Sequence, residues 1–148
     1  MGHSLKILIM GLPGSGKTTL AGHLKDAIGP ALWLNADKIR DIHKDWDFSY
    51  AGRLRQATRM RRYADVSEDK YVIADFVCPL PEMRAIFDPH ITIWMDTIRR
   101  GRFEDTNKAF VPPEEYDLRV VDWNSKAWVN LAINQIQAVR TVYDAAIP

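Results

Sequence analysis

The chain has 148 residues, 47% of them hydrophobic and 26% charged, enough for one domain with a sizeable core. A formal net charge of +1 excludes a global pull toward nucleic acid or an anionic membrane, so any electrostatic specialisation must be local. The single cysteine, Cys78, excludes an internal disulfide, and the lack of a run of about 18 apolar residues predicts no membrane span; both suit a cytoplasmic protein.

Residues 5–10 read as a buried strand whose apolar run is too short for a signal-peptide core. Glycines follow, then a helical pattern over 17–28 closed by Gly29 and Pro30. Residues 31–34 form a short second strand ending in the polar turn Asn35-Ala36-Asp37. An acidic, aromatic loop covers 45–50. Residues 52–68 carry helical periodicity, with Leu54, Ala57, Met60, Tyr63 and Ala64 inward. A third strand at 71–76 is broken by Pro79 and Pro81, and a fourth spans 90–95. Residues 97–111 are charged and poorly patterned up to Pro112-Pro113; 117–121 is a short fifth strand, and 124–145 a long amphipathic helix. Alternating strands and helices predict one α/β domain over 1–148: a three-layer sandwich around a mostly parallel five-stranded sheet, with ligands beyond the carboxyl ends of the strands.

Gly11-Leu12-Pro13-Gly14-Ser15-Gly16-Lys17-Thr18 matches G-x-x-x-x-G-K-S/T without departure, after a strand and before a helix. Glycines let the backbone N–H groups close around phosphates, and the helix N-terminus adds its dipole. Gly11, Pro13, Gly14, Ser15, Gly16, Lys17, Thr18 and Thr19 are therefore expected to hold ATP, with Lys17 on the β- and γ-phosphates and the Thr18 hydroxyl on Mg²⁺. The spacing points to a P-loop kinase. A switch-type GTPase needs an Asn/Thr-Lys-x-Asp motif, and none is present.

Asp37 follows the second strand, where a carboxylate either takes the proton of an acceptor hydroxyl or caps the helix that begins there. Asp75 closes the third strand, either as a second Mg²⁺ anchor acting through water or as a turn residue; Asp96 closes the fourth in the same way. Arg99, Arg100 and Arg102 open a segment, 99–113, long and polar enough to be a lid. Arg99 and Arg102 would neutralise charge on the transferring phosphoryl group.

On the acceptor side, Arg53, Arg55, Arg59, Arg61 and Arg62 fall within ten residues that hold no acid. Arg55, Arg59 and Arg62 share one helical face, which suits a phosphate, a sulfate or a nucleic-acid backbone, or is simply solvated. Trp46, Phe48 and Tyr50 either stack a nucleobase or plug a core edge. Cys78, Pro79 and Arg84 are expected to wall the same pocket, with Cys78 structural rather than nucleophilic.

The residues 11–21 together with Leu34-Asn35-Ala36-Asp37-Lys38-Ile39-Arg40 resemble the adenylylsulfate (APS) kinase family, with 53–65 at its arginine-bearing helix and Cys78-Pro79 at its Ser-Pro turn. The compact form is similar to a viral branch of these kinases through Asp45-Trp46-Asp47-Phe48 and Arg102-Phe103-Glu104-Asp105-Thr106-Asn107-Lys108. That resemblance implies ATP and Mg²⁺, an alcohol acceptor, and acceptor contacts from Arg40, Trp46, Phe48, Arg55, Arg59, Arg62, Cys78, Asn107 and Lys108. The implied acceptor is the hydroxymethyl group of 5-hydroxymethyluracil in DNA, in the host cytoplasm for a bacteriophage protein. The alternatives are the 3'-hydroxyl of APS, or a small nucleoside or metabolite; a nucleotide-binding regulator is the non-enzymatic one.

Overall fold

A computed structural model of the chain describes residues 4–146. The sheet is built from β1 (Leu5–Met10), β2 (Ala31–Asn35), β3 (Tyr71–Asp75), β4 (Ile91–Met95) and β5 (Leu118–Val120). The helices are α1 (Lys17–Ile28), α2 (Ala36–His43), α3 (Tyr50–Asp65), α4 (Pro81–Phe87), α5 (Glu104–Ala109) and α6 (Ser125–Ala146). The strand order is β2-β3-β1-β4-β5, and every pairing is parallel, so the sheet is wholly rather than mostly parallel.

β1 and β3 are buried along their whole length because helices cover both faces. Side chains alternate between the two cores. Leu5, Ile7, Ile9, Ile73, Ile91 and Ile93 pack under α1 and α6. Leu8, Met10, Val72 and Ala74 pack under α2, α3 and α4, against Ile39, Met60, Met83 and Phe87. The expected three layers are thus present, and among the described residues no helix is long and apolar enough to cross a membrane.

Three local details differ from expectation. α3 begins at Tyr50, ahead of Gly52, because Ser49 caps it by accepting the Gly52 N–H at 3.1 Å. Pro81 does more than break a strand: it starts α4 from within its first turn, where a missing N–H costs nothing. The poorly patterned segment holds α5, whose one buried residue, Thr106, leaves no apolar stripe to read.

Register sets the site. Ile9 of β1 pairs with Asp75 of β3, and Asp75 with Asn35 of β2. Three strands therefore end level, and the turns that follow them gather at one edge.

Candidate active site

The loop between β1 and α1 wraps tightly because its glycines allow it. A β-carbon on Gly11 would lie 2.6 Å from the Met95 carbonyl oxygen. Gly16 has φ +104°, and a β-carbon there would lie 2.9 Å from the Trp128 ring. Thr97 donates its hydroxyl to the Ser15 carbonyl at 2.6 Å, tying the end of β4 to the loop. The first N–H groups of α1 have no acceptor within the helix, so they are available to phosphate oxygens. The Ser15 hydroxyl is fully buried and has no partner in the protein, as expected of a group that meets a ligand.

Lys17 is 8% exposed and donates to the Leu12 carbonyl at 3.0 Å, holding the loop closed. Burial lowers its pKa, while Asp75 and Asp37 push it back up. Thr18 donates its hydroxyl to Asp75 at 2.7 Å, and Asn35 donates its amide to the same carboxylate oxygen at 3.0 Å. Burial raises the Asp75 pKa; the Thr18 hydrogen bond and Lys17 oppose the rise. A hydroxyl, a carboxylate and phosphate oxygens form an oxygen donor set of the kind Mg²⁺ takes, with water filling the rest. Among the described residues no cluster of three or more His, Cys, Asp or Glu forms a self-sufficient metal cage.

Asp37 lies exposed in the first turn of α2, and its charge is felt at both Lys17 and Asp75. It does not cap that helix: Asn35 does, accepting the Lys38 N–H at 3.0 Å. Asp96 is ion-paired with Arg119 at 2.6 Å.

The segment 99–113 borders the loop. A β-carbon on Gly101 would lie 3.2 Å from Pro13. Asn107 bonds both backbone groups of Gly101, at 2.8 and 2.9 Å, so its amide fixes the segment instead of facing an acceptor. The far end is anchored as the Val111 N–H donates to the Pro79 carbonyl at 2.8 Å and Arg84 bonds the carbonyls of Cys78, Pro79 and Val111. Arg99, Arg102 and Lys108 are exposed, and the Arg102 charge reaches Lys17.

A cleft of about 500 Å³ is lined by Phe48, Ser49, Tyr50, Arg53, Leu80 and Asp105, among others. Phe48 is its platform. The Arg40 guanidinium lies 4.5 Å from the centre of the ring and Arg53 lies 5.5 Å from it, so two cations attend one half-exposed ring. Arg53 was legible only as one member of an arginine run; its packing on Phe48 and its Nε bond to the Phe48 carbonyl at 2.9 Å set it apart. Trp46 is also half-exposed, 6.2 Å from Phe48, so neither ring plugs the core. Cys78 is wholly buried, with its thiol pushed up to about 12 by desolvation, and it supports the wall from behind.

The expected unbalanced arginine face is balanced after all. Arg55 and Arg59 meet Asp45 at 2.7 and 2.8 Å, and Arg55 also meets Asp47 at 3.0 Å. The acids come from the loop that precedes α3, outside the ten-residue arginine run. Arg62 is exposed in a groove shared with His43 and Tyr63, whose lining includes no residue of the phosphate loop.

A model of the family described as adenylylsulphate kinase matches residues 3–95. No curated protein matches the chain. Among solved structures, Mycobacterium tuberculosis APS kinase CysC in complex with AMPPNP and APS is similar, with TM-score 0.76, 19% identity, and coverage of 93% of this chain and 99% of that one. A gluconokinase from Sinorhizobium meliloti has TM-score 0.67 and 14% identity, covering 99% and 100%. Shikimate kinase from Aquifex aeolicus has TM-score 0.64 and 13% identity, covering 90% and 97%. At these identities the structures establish the shared fold, and the family match, over more than half of the chain, establishes kinship. With its phosphate loop, its Thr18–Asp75 pair and its parallel sheet, this chain belongs to the adenylylsulphate kinase family of P-loop kinases and is an ATP-dependent phosphotransferase that works with Mg²⁺.

Proposed function

We propose that this kinase phosphorylates the hydroxyl of a nucleotide-type acceptor seated on Phe48, foremost the 5-hydroxymethyl group of 5-hydroxymethyluracil in DNA. The observation that carries the nucleotide class is the stack of Arg40 and Arg53 on Phe48. An aromatic face beside two guanidiniums suits a flat base joined to an anionic group. Two features favour a base carried in DNA. The family match ends at residue 95, before the segment that borders the acceptor cleft. That segment brings in Asp105, an acid that repels the anionic phosphosulfate of APS but can accept an N–H from a base edge. Half-exposed Trp46 offers a second ring to a base extruded from its stack.

The second reading is phosphorylation of the 3'-hydroxyl of APS. The family match itself supports it, as does the similarity to an APS kinase solved with AMPPNP and APS.

In either reading, Lys17 and the loop amides hold the β- and γ-phosphates, and Thr18 with Asp75 holds Mg²⁺, which supplies charge neutralisation when bound. Asp37 orients the acceptor hydroxyl and takes its proton as the acceptor oxygen bonds to the γ-phosphorus and the bond to the ADP oxygen breaks. Arg102, and with it Arg99, counters the charge that develops.

The test offers γ-labelled ATP with Mg²⁺ to 5-hydroxymethyluracil DNA, ordinary thymine DNA and APS in parallel, with Lys17→Ala as the blank. Label confined to the hydroxymethyluracil DNA supports the first reading. Label confined to APS overturns it and leaves the second. Lys17→Ala is expected to lower transfer by at least about a thousandfold with the true acceptor.

A further inference from the structure

The loop at residues 45–49 carries the acceptor platform, and four arginines grip it. From the inner side, Arg40 donates to the carbonyls of Asp45 and Asp47 at 3.0 and 3.3 Å, and Arg53 to that of Phe48. From the outer side, Arg55 grips both carboxylate oxygens of Asp45, at 2.7 and 3.0 Å, and Arg59 adds a third bond at 2.8 Å. Arg59 is itself steered by Gln56 at 2.7 Å, whose amide is fixed on the Ala36 carbonyl at 2.9 Å. The loop is also pressed onto α3, since a β-carbon on Gly52 would fall 2.3 Å from the Asp47 carbonyl oxygen.

Like charges would otherwise drive this arrangement apart: Arg53 and Arg59 both disfavour the charged form of Arg40. Asp45 opposes them there, and it receives hydrogen bonds from Arg55 and Arg59.

We propose that Asp45 is a positioning residue: held by Arg55 and Arg59, it fixes the 45–49 loop so that Phe48 stays packed on Arg40 and Arg53 and the acceptor cleft is preformed. This rests on the reading of Phe48 as the acceptor platform. It also gives the arginine face of α3 an internal task in place of binding a polymer backbone, and the two roles predict opposite signs for one substitution. If Arg55 and Arg59 are a backbone clamp, Asp45→Asn frees them and tightens DNA. If they are a brace, Asp45→Asn loosens the platform and weakens every acceptor.

The experiment compares the wild type, Asp45→Asn, Asp45→Glu and Arg55→Gln/Arg59→Gln by amide hydrogen exchange over residues 45–53 and by acceptor and ATP kinetics. Expected for Asp45→Asn and for the arginine double variant is exchange in that segment faster by about tenfold, an acceptor KM raised by about tenfold, and an ATP KM within about twofold of wild type. Asp45→Glu is expected to recover part of both losses. Unchanged exchange, or tighter DNA binding by Asp45→Asn, overturns the brace. If the wild type labels neither acceptor, the functional reading fails, and the exchange data still decide the brace on their own.

Discussion

His90 accepts the backbone N–H of Lys6 through Nδ1 at 2.8 Å, which requires a neutral ring. Burial and the nearby positive charge of Lys6 place its folded pKa below the usual 6.5, with Asp88 opposing and Arg61 assisting. Its folded pKa lies below its unfolded one, so the stability it contributes is complete above about pH 6.5 and is lost as pH falls through the folded value. Thermal unfolding followed by circular dichroism between about pH 7 and pH 5 is expected to show a declining midpoint for the wild type. His90→Asn, whose amide oxygen accepts at any pH, should show a flatter profile over the same range. Such a residue tunes the fold without touching the site.

Among the elements, α6 and the phosphate loop meet at Gly16, and this contact was not legible in the sequence. The Trp128 indole occupies the space above Gly16, steadied by its own N–H on the Asp122 carbonyl at 2.8 Å. Gly16→Ala therefore combines backbone strain with a clash, and is expected to cost about 2–4 kcal/mol and to weaken ATP by at least about tenfold. Gly29→Ala is the control: its φ of +88° with ψ −155° strains any side chain, but nothing lies within 4 Å of the added carbon, so a loss of about 1–3 kcal/mol with unchanged ATP affinity is expected. Chemical denaturation and nucleotide titration of both variants check the contrast. The phosphate loop was legible because its chemistry is local, eight consecutive residues between a strand and a helix. The strands were legible because apolar runs mark them. What escaped was set by distant partners. Asp45 and Asp47 answer the arginines across a loop, Asn35 caps α2 because the helix starts at Ala36 and leaves Asp37 inside its first turn, and α5 has the buried Thr106 and an Asn107 clip with no periodic stripe to announce it.

At the scale of the whole molecule, the proposed nucleotide site joins separate elements, the loop before α1 and the end of β3, through the Lys17–Leu12 and Thr18–Asp75 hydrogen bonds. Saturating ligand should therefore stabilise the entire domain. ATP with Mg²⁺ at about a hundred times its Kd adds about 2.7 kcal/mol, which for a chain of this size raises the melting temperature by about 5–10 °C. Lys17→Ala is expected to abolish that rise, as calorimetry with and without nucleotide would show.

The alternation of side chains along the strands gives the protein two cores that share a backbone but almost no side chains. The phosphate loop leads into α1 over one core; Arg40, Phe48 and Arg53 stand over the other. Substitutions on the two sides are therefore close to additive, and drift beneath one is nearly invisible to the other. A lineage that inherits this fold can thus exchange the molecule it modifies while keeping its fuel.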